Sequence, residues 1–340
     1  MKIIYSDTHR QHDPPYEFTG GGMSPYSEAP ARADAILRTL REGGARDVEA
    51  PGSYALDAIL AVHDAGYLHY LEHIYAAWVA SGKPLSGVIP DAFAVRTMGG
   101  RPGELRHRDG YYCFDAQTPV VAGTYGAALS SAHCALTGAD LLLSGERAAY
   151  ALCRPPGHHA ARDLYGGYCY MNNAAIAAEY LTQADKVAVL DVDYHHGNGT
   201  QEIFYESDRV LFISIHADPN RAYPFFSGFP EERGMGRGRG FNHNLPLPAH
   251  AEEGRYLGVL DRAMEGIAGF GPGFLVISAG VDTFRDDPLG DFDLPLDAFS
   301  RIGGRLAGAR LPTLFVQEGG YNVGMMGKCV ANLLEGFEKT

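Results

Sequence analysis

The sequence predicts an α/β fold of three layers, α/β/α, around a central, mostly parallel sheet. Three observations carry that reading. Six short apolar segments, rich in β-branched and aromatic residues, run without polar alternation, as strands do when both faces of a parallel sheet are covered. Helix-like stretches alternate with them, the order that parallel pairing requires. Polar clusters directly follow four of the six strands, at the sheet edge where parallel α/β folds bind ligands.

The predicted strands are residues 2–5, 149–154, 187–193, 210–216, 274–279 and 313–318. The predicted helices are 31–42, 124–137, 172–183, 252–270, 296–309 and 327–338. Two stretches read as long loops. Residues 82–109 hold Gly, Pro and several Arg with no period, and 219–244 hold aromatics followed by a glycine-rich run. That run neither follows a strand nor opens a helix, so it is no dinucleotide fingerprint. No internal repeat or Ser/Pro-rich linker divides the chain, and one catalytic domain over residues 1–340 is expected, with 82–109 as a long insert.

Composition narrows the function. The 340 residues carry a net charge of −13 and are 46% hydrophobic, which suits a packed enzyme and not a disordered chain. No Lys/Arg patch stands ready to neutralise phosphates, so a nucleic-acid partner is not expected. No apolar run reaches the ~18 residues of a membrane span, and the N-terminus is too short and polar for a signal peptide. The five Cys are widely spaced and odd in number, the pattern of a reducing, cytoplasmic setting.

The strongest motif runs from Val189 to Gly199. A buried-strand pattern meets Asp191, Asp193, His195 and His196. Alternation along an extended chain puts Asp191, Asp193 and His195 on one side. Asp-x-His there offers an oxygen and a nitrogen to one metal, and one further carboxylate makes a three-ligand site with an open position. A capped strand end with hydrogen-bonded Asp and His reads equally well from this motif alone. Asp282, after the strand at 274–279, alone suits a helix cap. Beside the first motif it becomes the candidate third ligand. Residues 154–159, Arg-Pro-Pro-Gly-His-His, place two imidazoles on a fixed turn. Adjacent loop histidines are commonly inert, but beside a metal they can act as base and electrostatic partner. Tyr321, on a Gly-Gly turn after the last strand, can donate to an oxyanion, although surface tyrosines are common. Together the four clusters describe metal-assisted hydrolysis of an unactivated carbonyl.

The motifs RPPGHH, GGYCYMNNAA, LDVDYHHGNGTQ, SAGVDTF and EGGY stand in order and spacing over roughly residues 6–337. In this the sequence resembles the zinc-dependent histone deacetylase family of the arginase–deacetylase superfamily, and most nearly the bacterial acetylpolyamine amidohydrolases. The resemblance implies one zinc held by Asp193, His195 and Asp282, with His159 as general base and then acid. It implies His158 as the electrostatic partner, bonded to Asp191, and Tyr321 as oxyanion stabiliser. Gly167 would meet substrate through its backbone, and Tyr168 would form a pocket wall. Potassium would lie on oxygens of Asp191, Asp193, His195, Ser214 and Ile215, and a second monovalent cation near Phe204, Ser207 and Val210.

Two departures stand out. Asn198 occupies a position where many relatives hold aspartate, and a neutral partner raises His159 basicity less. Of the acidic mouth positions of polyamine-specific relatives, Glu17 matches one, whereas gapless counting puts Arg106 and Gln117 at two others. Glu104, Asp109 and Asp115 lie close enough in sequence to substitute. The resemblance implies N-acetylated polyamines or short acetylated diamines as substrate, and a homodimer or higher homo-oligomer built through 82–109. A peptide deacetylase or broad short-chain amidohydrolase is the alternative. An arginase-like enzyme lacks bridging carboxylates here, and a non-catalytic sensor has no feature in its favour.

Overall fold

The computed structural model describes residues 1–44, 47–95 and 97–340. Eight parallel strands form one sheet. They are β1 (Lys2–Ile4), β4 (Val48–Glu49), β5 (Ala148–Ala151), β6 (Val187–Asp191), β7 (Val210–Ala217), β8 (Asn242–Leu247), β9 (Phe274–Ala279) and β10 (Thr313–Gln317), in spatial order β4-β1-β5-β10-β9-β6-β7-β8. A separate antiparallel hairpin joins β2 (Tyr16–Thr19) to β3 (Gly22–Pro25).

The strands alternate between two apolar layers, which is why the sequence shows continuous runs. Ala188, Leu190, Leu275 and Ile277 face one core, packed by α1 (Ala31–Glu42), α7 (Glu253–Phe270), α8 (Ala298–Ala307) and α9 (Met326–Glu338). Val187, Val189 and Val276 face the other, packed by α3 (Ala65–Ala80), α4 (Thr124–Leu143) and α5 (Asn173–Leu181). The helix starts are chemically marked. The Asp64 carboxylate accepts from Gly66 N and Tyr67 N, and the Asn172 amide oxygen from Ala175 N, each cap worth ~1 kcal/mol. Two shorter helices, α2 (Asp57–Leu60) and α6 (Asn198–Phe204), complete the set.

The fold matches the expected α/β/α class, with local corrections. The strand expected over 187–193 stops at Asp191, and that over 149–154 stops at Ala151. The residues beyond turn away from the ladder to build loops. The stretch 219–244 is not loop throughout, since Asn242 opens β8. That strand pairs on one side only, so it tolerates Asn242, Asn244 and Pro246. Helix α3, unanticipated, buries Tyr67, Leu68, Tyr70, Leu71, Ile74 and Trp78. Among its described residues the insert 82–109 holds a 3₁₀ turn at Leu105–His107 and an isolated antiparallel bridge from Val88 to Val120, and is otherwise irregular; its Arg96 lies outside the described residues. All five cysteines are buried and free. Among the described residues no helix is long and apolar enough to cross a membrane.

Candidate active site

The carboxyl ends of β5, β6, β9 and β10 converge on one point. Past the end of β6, Asp193 N donates to Asp191 Oδ1 (3.1 Å) and His195 N to Asp193 Oδ1 (2.9 Å). His195 Nδ1 lies 3.3 Å from Asp193 Oδ1 and 3.1 Å from Asp282 Oδ2. One ligand atom from each of the three residues falls within 4.8 Å of the others. Backbone amides fix both carboxylates: Gly319 N donates to Asp193 Oδ2 (2.7 Å), and Tyr194 N to Asp282 Oδ1 (2.8 Å). Space for them exists because their neighbours are glycines. A Cβ on Gly280 would sit 2.0 Å from Asp193 Oδ2, and one on Gly319 would sit 2.3 Å from Asp282 Oδ2.

This donor set fits a divalent cation. Two fully buried carboxylates face each other across one imidazole, an arrangement that strains without positive charge. Burial, and then the neighbouring Asp193, push Asp282 up to about 7. Burial also works to raise Asp193, but His158 and His195 outweigh it and hold that carboxyl below its usual range. Burial opposes protonation of His195, yet the bonds to Asp193 and Asp282 lift it to about 9.

The tandem histidines lie beside this cluster, both 3% exposed, so they are not exposed loop residues. His158 Nδ1 is 2.9 Å from Asp191 Oδ2. Burial lowers its pKa, but Asp193 and Asp191 overcome that and raise it to about 10. His159 Nδ1 is 2.7 Å from Asn198 Oδ1, and Asn198 Nδ2 returns a bond to the His159 carbonyl (3.4 Å). Burial, followed by the charges of His158 and His195, holds His159 well below its usual range. The surroundings thus favour the charged form of His158 and oppose it at His159.

A cavity of about 440 Å³ opens onto these groups, lined by Glu17, Gln117, His159, Gly167, Tyr168, His195, Tyr223 and Tyr321 among others. Burial holds the Tyr321 phenol well above its ordinary range, so it stays a donor. Gly167 (φ +56°) sits against His159, where a Cβ would come within 2.2 Å of Cδ2. Glu17 is buried and accepts from Ser27 Oγ (3.1 Å). Arg106 is a correction. It does not reach this cavity: its guanidinium binds Glu104 (2.7 Å) and lines a different hollow with Trp78, Lys83 and Asp91. The 3₁₀ turn at Leu105–His107 redirects the chain, which a gapless count could not register.

The residues proposed for monovalent cations are also placed. Asp191 pairs in register with Ser214, with Ile215 next along β7. The Ser214 hydroxyl already contacts His216 Nδ1 (2.7 Å) and His196 Nδ1 (3.3 Å). Phe204, Ser207 and Val210 lie between the end of α6 and the start of β7, where Ser207 N donates to Phe204 O (2.9 Å).

Sequence reasoning missed several supports. Glu318 Oε2 accepts from Gly157 N (2.6 Å) and His158 N (3.1 Å), fixing the tandem-histidine turn. Its carboxyl, Cys169 Sγ and a His158 nitrogen form a second buried group of metal-ligating atoms within 4.8 Å. Asp287 Oδ2 accepts from Tyr321 N (2.6 Å) and Asn322 N (3.0 Å). Buried Arg32 donates to Gly320 O (2.6 Å) and Glu318 O (2.7 Å) and stacks 4.6 Å from the Tyr321 ring. Tyr223 presents its ring edge to His159 at 5.0 Å. The sole advance signal was that Glu318 opens the EGGY motif; Asp287, three residues past SAGVDTF, Tyr223 and Arg32 carry none.

Comparison with known proteins agrees with this geometry. The histone deacetylase domain model matches residues 26–337. The chain is 46% identical to acetylpolyamine amidohydrolase 1 of Pseudomonas aeruginosa over 99% of both chains. It is 44% identical to the acetylpolyamine amidohydrolase of Mycoplana ramosa, again over 99% of both. The crystal structure of acetylpolyamine aminohydrolase from Burkholderia pseudomallei superposes with a TM-score of 0.95 at 39% identity, covering 99% of this chain and 98% of that one. With that full-length agreement, and with the metal-ligand cluster and tandem histidines at the carboxyl edge of its sheet, the chain belongs to the histone deacetylase family, whose deacetylase chemistry it shares.

Proposed function

We propose that this protein, as one catalytic domain, is a zinc-dependent amidohydrolase that removes acetyl groups from N-acetylated polyamines or short acetylated diamines. The observation that carries the reading is one cavity lined by His159, Tyr321 and His195, the last a member of the Asp193–His195–Asp282 cluster. Relatives named for acetylpolyamine hydrolysis, 40–46% identical at full length, support the substrate class.

Asp193, His195 and Asp282 hold the zinc, which supplies Lewis-acid polarisation of the amide carbonyl and acidifies water. The remaining work falls to the protein. Asn198 Oδ1 accepts from His159 Nδ1, so that nitrogen carries the hydrogen and Nε2 keeps its lone pair. His159 Nε2, whose protonation burial and the charges of His158 and His195 oppose, takes the proton of the attacking water and later delivers it to the departing amine. His158, charged against Asp191, supplies a fixed positive field beside the forming tetrahedral centre. The Tyr321 phenol donates to the oxyanion. Gly167 and Tyr168 enclose the alkyl chain, and Glu17 with Gln117 meets the amine tail. Potassium at Asp191, Asp193, His195, Ser214 and Ile215, and a second monovalent cation near Phe204, Ser207 and Val210, serve as structural ions in this reading. The reading includes a homodimer or larger homo-oligomer, and the five free cysteines fit a cytoplasmic setting.

The alternative, an acetyl-lysine deacetylase, is favoured by Gln117, a neutral side chain lining the cavity. Amine release by the zinc-loaded protein from acetylputrescine, acetylspermidine and an acetyl-lysine peptide separates the two. Turnover of the small amines, little on the peptide and loss in His159→Ala supports the proposal. Preference for the peptide overturns it.

A further inference from the structure

The Asp115 carboxylate is not itself among the cavity's lining residues, but it bonds two of them. Its Oδ2 accepts from Gly167 N (2.7 Å), which leads into Tyr168, and from the Tyr223 hydroxyl (2.8 Å). Its Oδ1 accepts from Gln117 N (3.1 Å). The preceding residue repeats the arrangement with apolar contacts. The Phe114 ring stacks on Tyr223 at 6.2 Å, and a Cβ on Gly166 would lie 2.5 Å from that ring. Both tied groups also border His159: Gly167 packs against its ring, and Tyr223 meets it edge-on at 5.0 Å. The clearance beside the base is thus set by two walls that share one oxygen. The Tyr223 segment has little other cover on its outer side, where Phe225 and Phe226 are 48% and 92% exposed.

We propose that Asp115 is a positioning residue that ties Tyr223 to the Gly167–Tyr168 turn and so fixes the channel at the width of an unbranched alkyl chain. This rests on the amidohydrolase reading above. Three protein donors occupy the carboxylate, so it acts through the walls and not by touching substrate. Selection follows from shape: a chain thickened near the scissile amide can enter only if a wall retreats, and the shared bonds resist that retreat.

The test compares kcat/KM for acetylputrescine with that for an acetylated diamine carrying a cyclohexane ring in its chain. Zinc-loaded wild type, Tyr223→Phe and Asp115→Asn are measured in parallel. Tyr223→Phe keeps the ring and removes one bond, and it carries the test if Asp115→Asn does not fold. The expected result is a shift of about tenfold in the linear-to-ringed ratio towards the ringed substrate, mainly through KM. An unchanged ratio, or an equal loss on both substrates, marks a merely structural contact and overturns the proposal. A wild type inactive on both substrates overturns the functional reading and this inference with it.

Discussion

Replacing Gly319 with alanine should loosen the metal site without replacing a ligand. The backbone at this position lies outside the left-handed region, so the effect comes from the added methyl alone. Its carbon would lie 2.3 Å from Asp282 Oδ2 and 2.6 Å from Asp193 Oδ2. Ordinary carbon–oxygen contact begins near ~3.3 Å, so the carboxylates must retreat by roughly 1 Å and 0.7 Å. Metal–ligand distances tolerate only ~0.2 Å. The Gly319 N–H bond that orients Asp193 is disturbed by the same movement. Loss of such an orienting contact lowers metal affinity by about 10- to 100-fold, or ~1.4–2.7 kcal/mol. The assay is a chelator competition titration on purified protein with metal content measured at each step. Turnover at saturating zinc should recover part of its loss. A Gly319→Ala protein that holds zinc as tightly as wild type refutes the geometry described for the cluster.

Other outcomes follow from the same contacts. Asp287→Asn should lower kcat about tenfold or more by freeing the Tyr321 backbone; in a double-mutant cycle it should add little to Tyr321→Phe, and full additivity would count against the role. Asn198→Asp places an anion on His159 Nδ1 and favours the protonated ring, so the acidic limb of the kcat/KM–pH profile should move to higher pH by about 1–3 units. Gly258→Ala, inside α7 with open space around its Cβ position, should raise stability by about 0.5–1 kcal/mol in denaturant titration, in contrast to Gly319→Ala.

The parts legible in the sequence were those with a local signature. Buried central strands read as unbroken apolar runs, and the ligand and histidine motifs sit directly on their carboxyl ends. Edge strand β8 did not, because one unpaired side lets Asn and Pro replace the β-branched pattern. Helix α3 mixes His, Tyr and Glu with its apolar positions, and only its Asp64 cap and the spacing of Tyr67, Leu71, Ile74 and Trp78 betray it. Tyr223 and Asp115 stand 108 residues apart in the chain and meet only through tertiary structure. Arg106 shows the converse failure: gapless counting matched it to the mouth, whereas its guanidinium pairs with Glu104 in another hollow.

The last strand of the chain does not lie at the edge of the sheet. β10 slots between β5 and β9, in the middle of the strand order. A nascent chain still short of residue 313 therefore holds two half-sheets flanking an empty slot. Tyr321 and the glycine amide that orients Asp193 arrive only with the segment that closes it. Residues 313–317 must be made before the two halves can knit. Until then Asp193 lacks the Gly319 amide that orients it, and metal uptake becomes an event that follows closure of the sheet.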